Sequence, residues 1–219
     1  MKITVIGAGN GGQAMAAHLS LLGHEVTLYT RSEVKAKILR AKGGIRLEGC
    51  LNGTGHVAVY TSDLAAALRD AKIIMVATVA NAHREMAIRM APHLQQGQIV
   101  VLNPGRTGGA FEFRRALDEC RFRRRICLVE AQTLVYACRL VEEGAVNIVG
   151  VKDEAGINPT QVTDFFLATQ DVDPDFAIYN GDDVMLLPTI VQGAMGLVSG
   201  GAHIFGHEIR AIFKAFAEK

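Results

Sequence analysis

The first 30 residues constrain the fold of this chain more than any other stretch. "KITVIG" is a β-branched apolar run, "AGNGG" a glycine turn, and "QAMAAHLSLLG" places Ala14, Met15, Leu19 and Leu22 at helical spacing before Gly23 stops it. A second β-rich run, "EVTLYT", follows at once. Connections this short favour parallel strands joined by a right-handed crossover. Gly7, Gly9 and Gly12 fit G-x-G-x-x-G between that strand and helix. Gly7 permits the tight turn, Gly9 lets a pyrophosphate approach the backbone, and Gly12 lets the helix pack on the strand. Together with Asn10 and Gly11 they put a helix N-terminus against the phosphates of a dinucleotide.

The rhythm continues. A charged helix is expected from about Ser32 to Lys42, then a hairpin in "IRLEGCLNGTGHVAVYT" with Asn52-Gly53 between its halves. "SDLAAALRDA" is a capped helix and "KIIMVAT" a buried strand. Helices over about 82–94 and 109–120 alternate with the strands "QIVVLN" and "RICLVEA". This predicts a Rossmann-like, doubly wound and mostly parallel α/β sheet over residues 1–146. From 147 to 219 three more strand-helix units follow: "VNIVGVK" and "NPTQVTDFFLAT", with Asn158 as cap and Pro159 at the first helical position; "FAIYNG" and "DDVMLLPTIVQG"; "GLVSGG" and a last helix over about 207–217. Alone, such a piece would expose both faces of a hydrophobic parallel sheet, so its strands are expected to join the dinucleotide sheet.

Composition narrows the ligand class. Lys+Arg of 23 against Asp+Glu of 22 gives a net charge of +1, which offers no field for nucleic acid or an anionic membrane, and "RFRRR" at 121–125 reads as a solvated turn. No apolar run reaches the length of a membrane span and no signal-peptide pattern opens the chain, so a cytoplasmic protein is expected. Cys50, Cys120, Cys127 and Cys138 form no C-x-x-C pair and read as reduced thiols; no metal site is expected. A small-molecule partner, the dinucleotide, remains, with a homo-oligomer possible.

An NAD-preferring site ends its second strand with Asp or Glu, which binds the ribose 2′-hydroxyl. Here the sequence reads Tyr29-Thr30-Arg31-Ser32. With no carboxylate to repel a 2′-phosphate, and an arginine and two hydroxyls to bind one, NADP is favoured, NAD being the alternative. Ala77, after the fourth core strand, and Asn103 and Gly105, after the fifth, complete the expected cofactor set.

Three motifs, "ITVIGAGNGGQAMAAHLSLLGHEVTLYTR", "LNPGRTGGAFEF" and "EAQTLVYACRL", resemble the nucleotide-binding domain of the octopine/nopaline (opine) dehydrogenase family over about residues 1–150. The resemblance implies reductive joining of an amino acid to a 2-oxo acid with a nicotinamide cofactor. It also implies a helical domain carrying a catalytic histidine and its carboxylate partner, which no segment here resembles. Instead, "VGVKDEAG" and "FAIYNGDDVMLLPTIVQGAMGLVSGGAH" resemble the last strand-helix units of the dihydrodipicolinate synthase and N-acetylneuraminate lyase barrels, over about 147–219. A fusion or chimera without full catalytic activity is the expectation; an NADP-dependent opine-type oxidoreductase and a Schiff-base lyase are the alternatives.

By the second resemblance Lys152 matches the lysine that forms a Schiff base with pyruvate, at the strand end where barrels keep their chemistry. A Schiff-base lysine needs a desolvated pocket and proton-relaying neighbours. Val101 stands where the family has its tyrosine relative to Arg106, the threonine-pair loop is missing, and three units cannot close an eight-stranded barrel. Lys152 is therefore read as vestigial. Among the histidines, His83 is expected at a helix start meeting solvent, His18 and His24 lack a catalytic partner in sequence, and His203 with His207 lacks a third ligand. Glu130, Gln132 and Thr133 either line a pocket or satisfy strand-end hydrogen bonds.

Overall fold

Val, Ile and Leu runs separated by glycine and Ser/Asp caps set the strands and helices of this chain. The computed structural model describes residues 1–105, 108–131, 133–153, 160–171, 176–198 and 202–218, with backbone alone at 151–153 and 203. Two compact units follow one another, Met1–Val149 and Gly150–Lys219.

The first unit runs β1 (Lys2–Ile6), α1 (Asn10–Leu21), β2 (Glu25–Tyr29), α2 (Glu33–Lys42), β3 (Ile45–Gly49), β4 (Gly53–Gly55), β5 (Val59–Thr61), α3 (Leu64–Arg69) and β6 (Ile73–Val76). A 3₁₀ turn (Ala80–Ala82) then leads into α4 (His83–Met90), followed by β7 (Ile99–Leu102), α5 (Gly109–Glu119), β8 (Cys127–Glu130), β9 (Tyr136–Glu142) and β10 (Ala145–Asp153), which crosses the unit boundary. Six strands form a sheet in the order β5-β2-β1-β6-β7-β8, every pair parallel. Strand order therefore reverses between β1 and β6, and the carboxyl ends of those strands open the crevice where sheets of this kind take ligands.

Both faces of the sheet are covered. Ile6, Tyr29, Ile74, Val76, Val100 and Leu102 bury on one face with Leu68 of α3, Met86 and Met90 of α4 and Phe113 of α5. Val5, Val26 and Leu28 bury on the other with Ala14, Met15, Ala16 and Ala17 of α1. Gly12 to Ala17 are all buried, which a helix with one covered face does not show. The cause is a second layer: Ile45 and Leu47 of β3, Val146 and Ile148 of β10, and Tyr136, Cys138 and Leu140 of β9 belong to the same cluster. Each large aliphatic side chain buried there contributes about 1.5–3 kcal/mol of transfer free energy.

Two sequence expectations differ from this arrangement. The run 45–61 is not one hairpin: β3 and β4 pair antiparallel, whereas β5 leaves them and pairs parallel with β2, completing the sheet edge and burying Tyr60. The strand expected at 147–151 does not join the six-stranded sheet. The first half of β10 pairs parallel with β3, Val146 opposite Leu47, because its alternating Val146 and Ile148 complete the second layer. β9, whose strand character lies in the alternation of Tyr136, Cys138 and Leu140, also pairs with β10.

The second unit takes the other half of β10, then α6 (Gln161–Thr169), β11 (Ala177–Asn180), a 3₁₀ turn (Asp183–Met185) running into α7 (Leu186–Val191), β12 (Gly196–Leu197) and α8 (Ala202–Ala217). β11 pairs parallel with β10 and β12, so three strand-helix units follow the dinucleotide fold as expected. Among the described residues Val162, Ile178 and Ala194 form a small cluster flanked by Phe165 and Phe176, and Ala177, Met185, Leu186 and Ile190 are buried as well. α8 starts earlier than 207 and kinks at Phe205 (φ −112°, ψ 26°). Pro188 sits in the first turn of α7, where its missing N–H costs no helical bond. Asn158 and Pro159 lie outside the described residues; α6 has Thr160 at its N-cap.

Candidate dinucleotide site

The glycine turn is shaped by close approaches that admit no side chain. Gly7 has φ +108°, and a Cβ there would lie 2.6 Å from the Ala77 carbonyl oxygen; one on Gly12 would lie 1.8 Å from the Gly7 oxygen. Gly9 differs, because a Cβ there meets nothing within 4 Å. The Gly9 carbonyl accepts the first helical bond, from the Gln13 amide at 3.0 Å, but no side chain caps α1 and no acidic residue sits in its first turn. An open helix N-terminus beside an open glycine is a place for an anion.

A polar network braces this turn. The Gln13 amide nitrogen donates to the Ala8 carbonyl (3.0 Å) and to Glu143 (2.8 Å), and the Gln13 oxygen accepts from the Gly144 amide (3.0 Å). Lys35 pairs with the other Glu143 oxygen at 2.7 Å and reaches the Ala8 carbonyl at 3.4 Å. Glu143, in the β9–β10 turn, thus ties α1 to α2 from 130 residues away in sequence.

A cleft of about 570 Å³ opens at the β1/β6 crevice, a size that suits a small-molecule ligand. Gly7 and Gly9 line it from the turn, Thr30, Arg31 and Ser32 from the end of β2, and Ala77 from the end of β6. Lys35, Thr78, Glu85 and Met86 line it too, and none of these was picked out from the sequence. Lys35 had a signal, since the cap at Ser32 places it one turn into α2. Glu85 had none, being 54 residues from Arg31. Thr78 has its buried hydroxyl without a hydrogen-bond partner, as an atom awaiting a ligand would.

The other expected cofactor residues stand elsewhere. Asn10 opens α1 with its side-chain oxygen accepting from the Leu140 amide of β9 at 3.3 Å, and a Cβ on Gly11 would run into the Leu134 side chain just before β9. Gly12 packs under the turn. Asn103 is buried, bonding the Val101 carbonyl at 2.9 Å, and Gly105 lies against Glu130. Thr30 accepts from the Ser32 amide and Ser32 from the Lys35 amide, leaving each hydroxyl proton to donate. Arg31 spans the cleft to Glu85, Nη1 to Oε1 at 3.3 Å, with side chains 64% and 56% exposed. A pair that open to water is worth at most about 1 kcal/mol and yields readily to a ligand.

His83 is a correction: it is 1% exposed and does not meet solvent. Both ring nitrogens lack a hydrogen-bond partner. Burial lowers its pKa, opposed by the Thr78 backbone and the Glu130 carboxylate, neither of which completes a hydrogen bond. His18 has a partner that its sequence neighbourhood did not show, the Tyr136 hydroxyl at 2.9 Å from Nδ1. Burial pushes the Tyr136 phenol up to about 12. Glu130 satisfies a local need, accepting from the Ala110 amide at 2.9 Å near the start of α5. Lys152 stands opposite Tyr179 in the β10–β11 register; its side chain, that of His203, and residues Arg106, Thr107 and Gln132 lie outside the described residues. Among the described residues no cluster of three or more His, Cys, Asp or Glu suits a metal ion, and no helix is long and apolar enough to cross a membrane.

Comparison with known proteins divides the chain in two. The pattern of the NAD-dependent glycerol-3-phosphate dehydrogenase N-terminus matches residues 2–104, and that of the dihydrodipicolinate synthetase family matches residues 134–219. Opine dehydrogenase of Arthrobacter sp. (strain 1C) is 36% identical over 149 residues, 68% of this chain and 41% of that protein. The 4-hydroxy-tetrahydrodipicolinate synthase of Listeria monocytogenes serovar 1/2a is 33% identical over 93 residues, 42% of this chain and 29% of that enzyme. The chain thus spans less than half the length of either relative. In fold it resembles octopine dehydrogenase solved with NADH and pyruvate (TM-score 0.60, 20% identity, 81% of this chain and 49% of that one). It also resembles yersinopine dehydrogenase solved with NADP+ (TM-score 0.57, 14% identity, 76% of this chain and 45% of that one). The chain thus resembles two families along its length, and its first unit has a Rossmann-like α/β fold similar to that of the opine dehydrogenases.

Proposed function

We propose that this chain is a chimera of two lineages: a Rossmann unit that binds NADP(H), and a segment of dihydrodipicolinate synthase type that contributes structure and not chemistry. The observation that carries the cofactor reading is the cleft itself, with an uncapped helix N-terminus and the open Gly9 at one end and Arg31 with Lys35 at the other. Its residues fit a dinucleotide: backbone amides of the turn take the pyrophosphate, the orphaned Thr78 hydroxyl offers a donor, and Arg31 faces the place of a 2′-phosphate. The nicotinamide, when bound, supplies hydride chemistry; the chain's own residues bind and orient it.

The chimera reading is supported by the change of family along the chain, since residues 2–104 match the NAD-dependent glycerol-3-phosphate dehydrogenase N-terminus and residues 134–219 match dihydrodipicolinate synthetase. Lys152 falls inside that match, and its reading as vestigial rests on the missing tyrosine and threonine pair. The 36% identity to an opine dehydrogenase favours a second reading, an NADP-dependent oxidoreductase, which NADPH oxidation in the presence of 2-oxo acids and amino acids would support.

The cofactor reading is tested by Arg31→Asp. Titration calorimetry should show NADPH affinity falling about tenfold or more, as loss of a charge-assisted bond and gain of a repulsive charge require, with NADH affinity held or improved. Unchanged affinity for both would remove Arg31 from the site.

A further inference from the structure

The end of β2 carries no acid to read a ribose, but the cleft wall facing it does. Glu85, one turn into α4, puts Oε1 3.3 Å from Nη1 of Arg31 and 3.7 Å from Nη1 of Arg89. Arg89 is held from behind, its other nitrogen donating to the Tyr29 hydroxyl at 2.8 Å, and Tyr29 is itself buried beneath the cleft. One carboxylate therefore sits between two guanidinium groups, at the rim where the phosphate of a 2′-phosphorylated ribose would find its counter-charges. Lys35, on α2 at the other side of the cleft, is committed to Glu143 at 2.7 Å.

We propose that Glu85 determines cofactor choice, acting as a built-in substitute for the 2′-phosphate. With NAD(H) bound, the carboxylate stays between the arginines and is placed to accept from the ribose 2′-hydroxyl, the part an acid at the end of the second strand plays elsewhere. With NADP(H) bound, it must give up Arg31 to the phosphate and then faces a like charge. The exchange is feasible because the side chain is 56% exposed and its pairing weak. Selectivity for NADP(H) is consequently blunted, and the site accepts both cofactors. This inference rests on the reading of Arg31 as the 2′-phosphate ligand.

The probes are adenosine 2′,5′-bisphosphate and adenosine 5′-monophosphate, which isolate the ribose end of the cofactor, titrated calorimetrically into the full chain. Glu85→Gln keeps the shape and removes the charge. It should tighten the bisphosphate about three- to tenfold, weaken or leave unchanged the monophosphate, and steepen the salt dependence of bisphosphate binding. Equal effects on both probes, or none on either, overturn the proposal. Arg31→Asp separates the two levels. If it abolishes the preference for the bisphosphate while Glu85→Gln changes nothing, only the role of Glu85 fails. If neither substitution alters the preference, the placement of the ribose beside Arg31 fails with it. Because Glu85 lies on the exposed face of α4, an unchanged melting temperature of the amide variant verifies that folding is intact.

Discussion

At the scale of single residues, the three motif glycines answer to different constraints, and this separates folding from binding. Gly12 is required by the protein's own backbone, since a methyl group would lie 1.8 Å from the Gly7 oxygen; Gly12→Ala should destabilise the fold by about 2–4 kcal/mol, measured as a shift in denaturation midpoint. Gly9 has an extended φ of −82° and empty space where a methyl would go, so Gly9→Ala should cost within about 1 kcal/mol. Its penalty belongs to the ligand: dinucleotide affinity should drop tenfold or more by calorimetry, because the pyrophosphate needs that approach. Equal loss of stability in both variants would mean that the turn is not held open for a ligand.

At the scale of an element, α4 begins on a histidine whose burial has a pH consequence. The His83 pKa is lowered by burial, so the unfolded chain takes up its proton first as pH falls. Its contribution to stability is complete above the unfolded value near 6.5 and is lost as pH descends below it through the folded value. His18, also lowered by burial, acts in the same direction. His83→Leu should therefore flatten the fall in stability below about pH 6.5, while leaving stability at pH 7 unchanged or raised by about 1 kcal/mol, since two unpartnered buried nitrogens are removed. Urea titrations across that pH range measure both quantities; an unchanged acid slope would place the titrating group elsewhere.

At the scale of the molecule, the two units are unequally equipped to fold. Residues 1–149 hold two large clusters on the two faces of the parallel sheet, the second closed by Val146 and Ile148. Among the described residues, 150–219 bury Val162, Ala177, Ile178, Met185, Leu186, Ile190 and Ala194, yet expose Val184, Leu187, Val191, Met195, Ile204 and Phe205 by 56% or more. A core that small does not offset the chain entropy of 70 residues, at roughly 1–2 kcal/mol each for the backbone. Residues 1–149 expressed alone should melt cooperatively and bind NADPH, and residues 150–219 alone should be unfolded or aggregated by circular dichroism and light scattering. A cooperatively melting tail would show that it has a self-sufficient core.

What the sequence determined by itself is what depends on neighbours along the chain. The strand-turn-helix-strand opening, the parallel sheet and the glycine turn follow from periodicity and from steric needs within a dozen residues, and all were legible. So were the three strand-helix units of the tail. Tertiary structure decided whatever depends on contact between distant segments. It set Glu85 opposite Arg31, drew Lys35 and Gln13 together on Glu143, and enclosed α1 between two layers, so that Asn10 bonds β9 and Gly11 packs against Leu134. It buried His83, which local polarity assigned to solvent, because α5 closes over the start of α4 with Gly109 against the imidazole ring. Local pattern carries the hydrogen-bonding and hydrophobic period of one element. The charge that stands across a cleft is fixed only when the fold brings α4 up to the end of β2 and sets side chains 54 residues apart within 3.3 Å of each other.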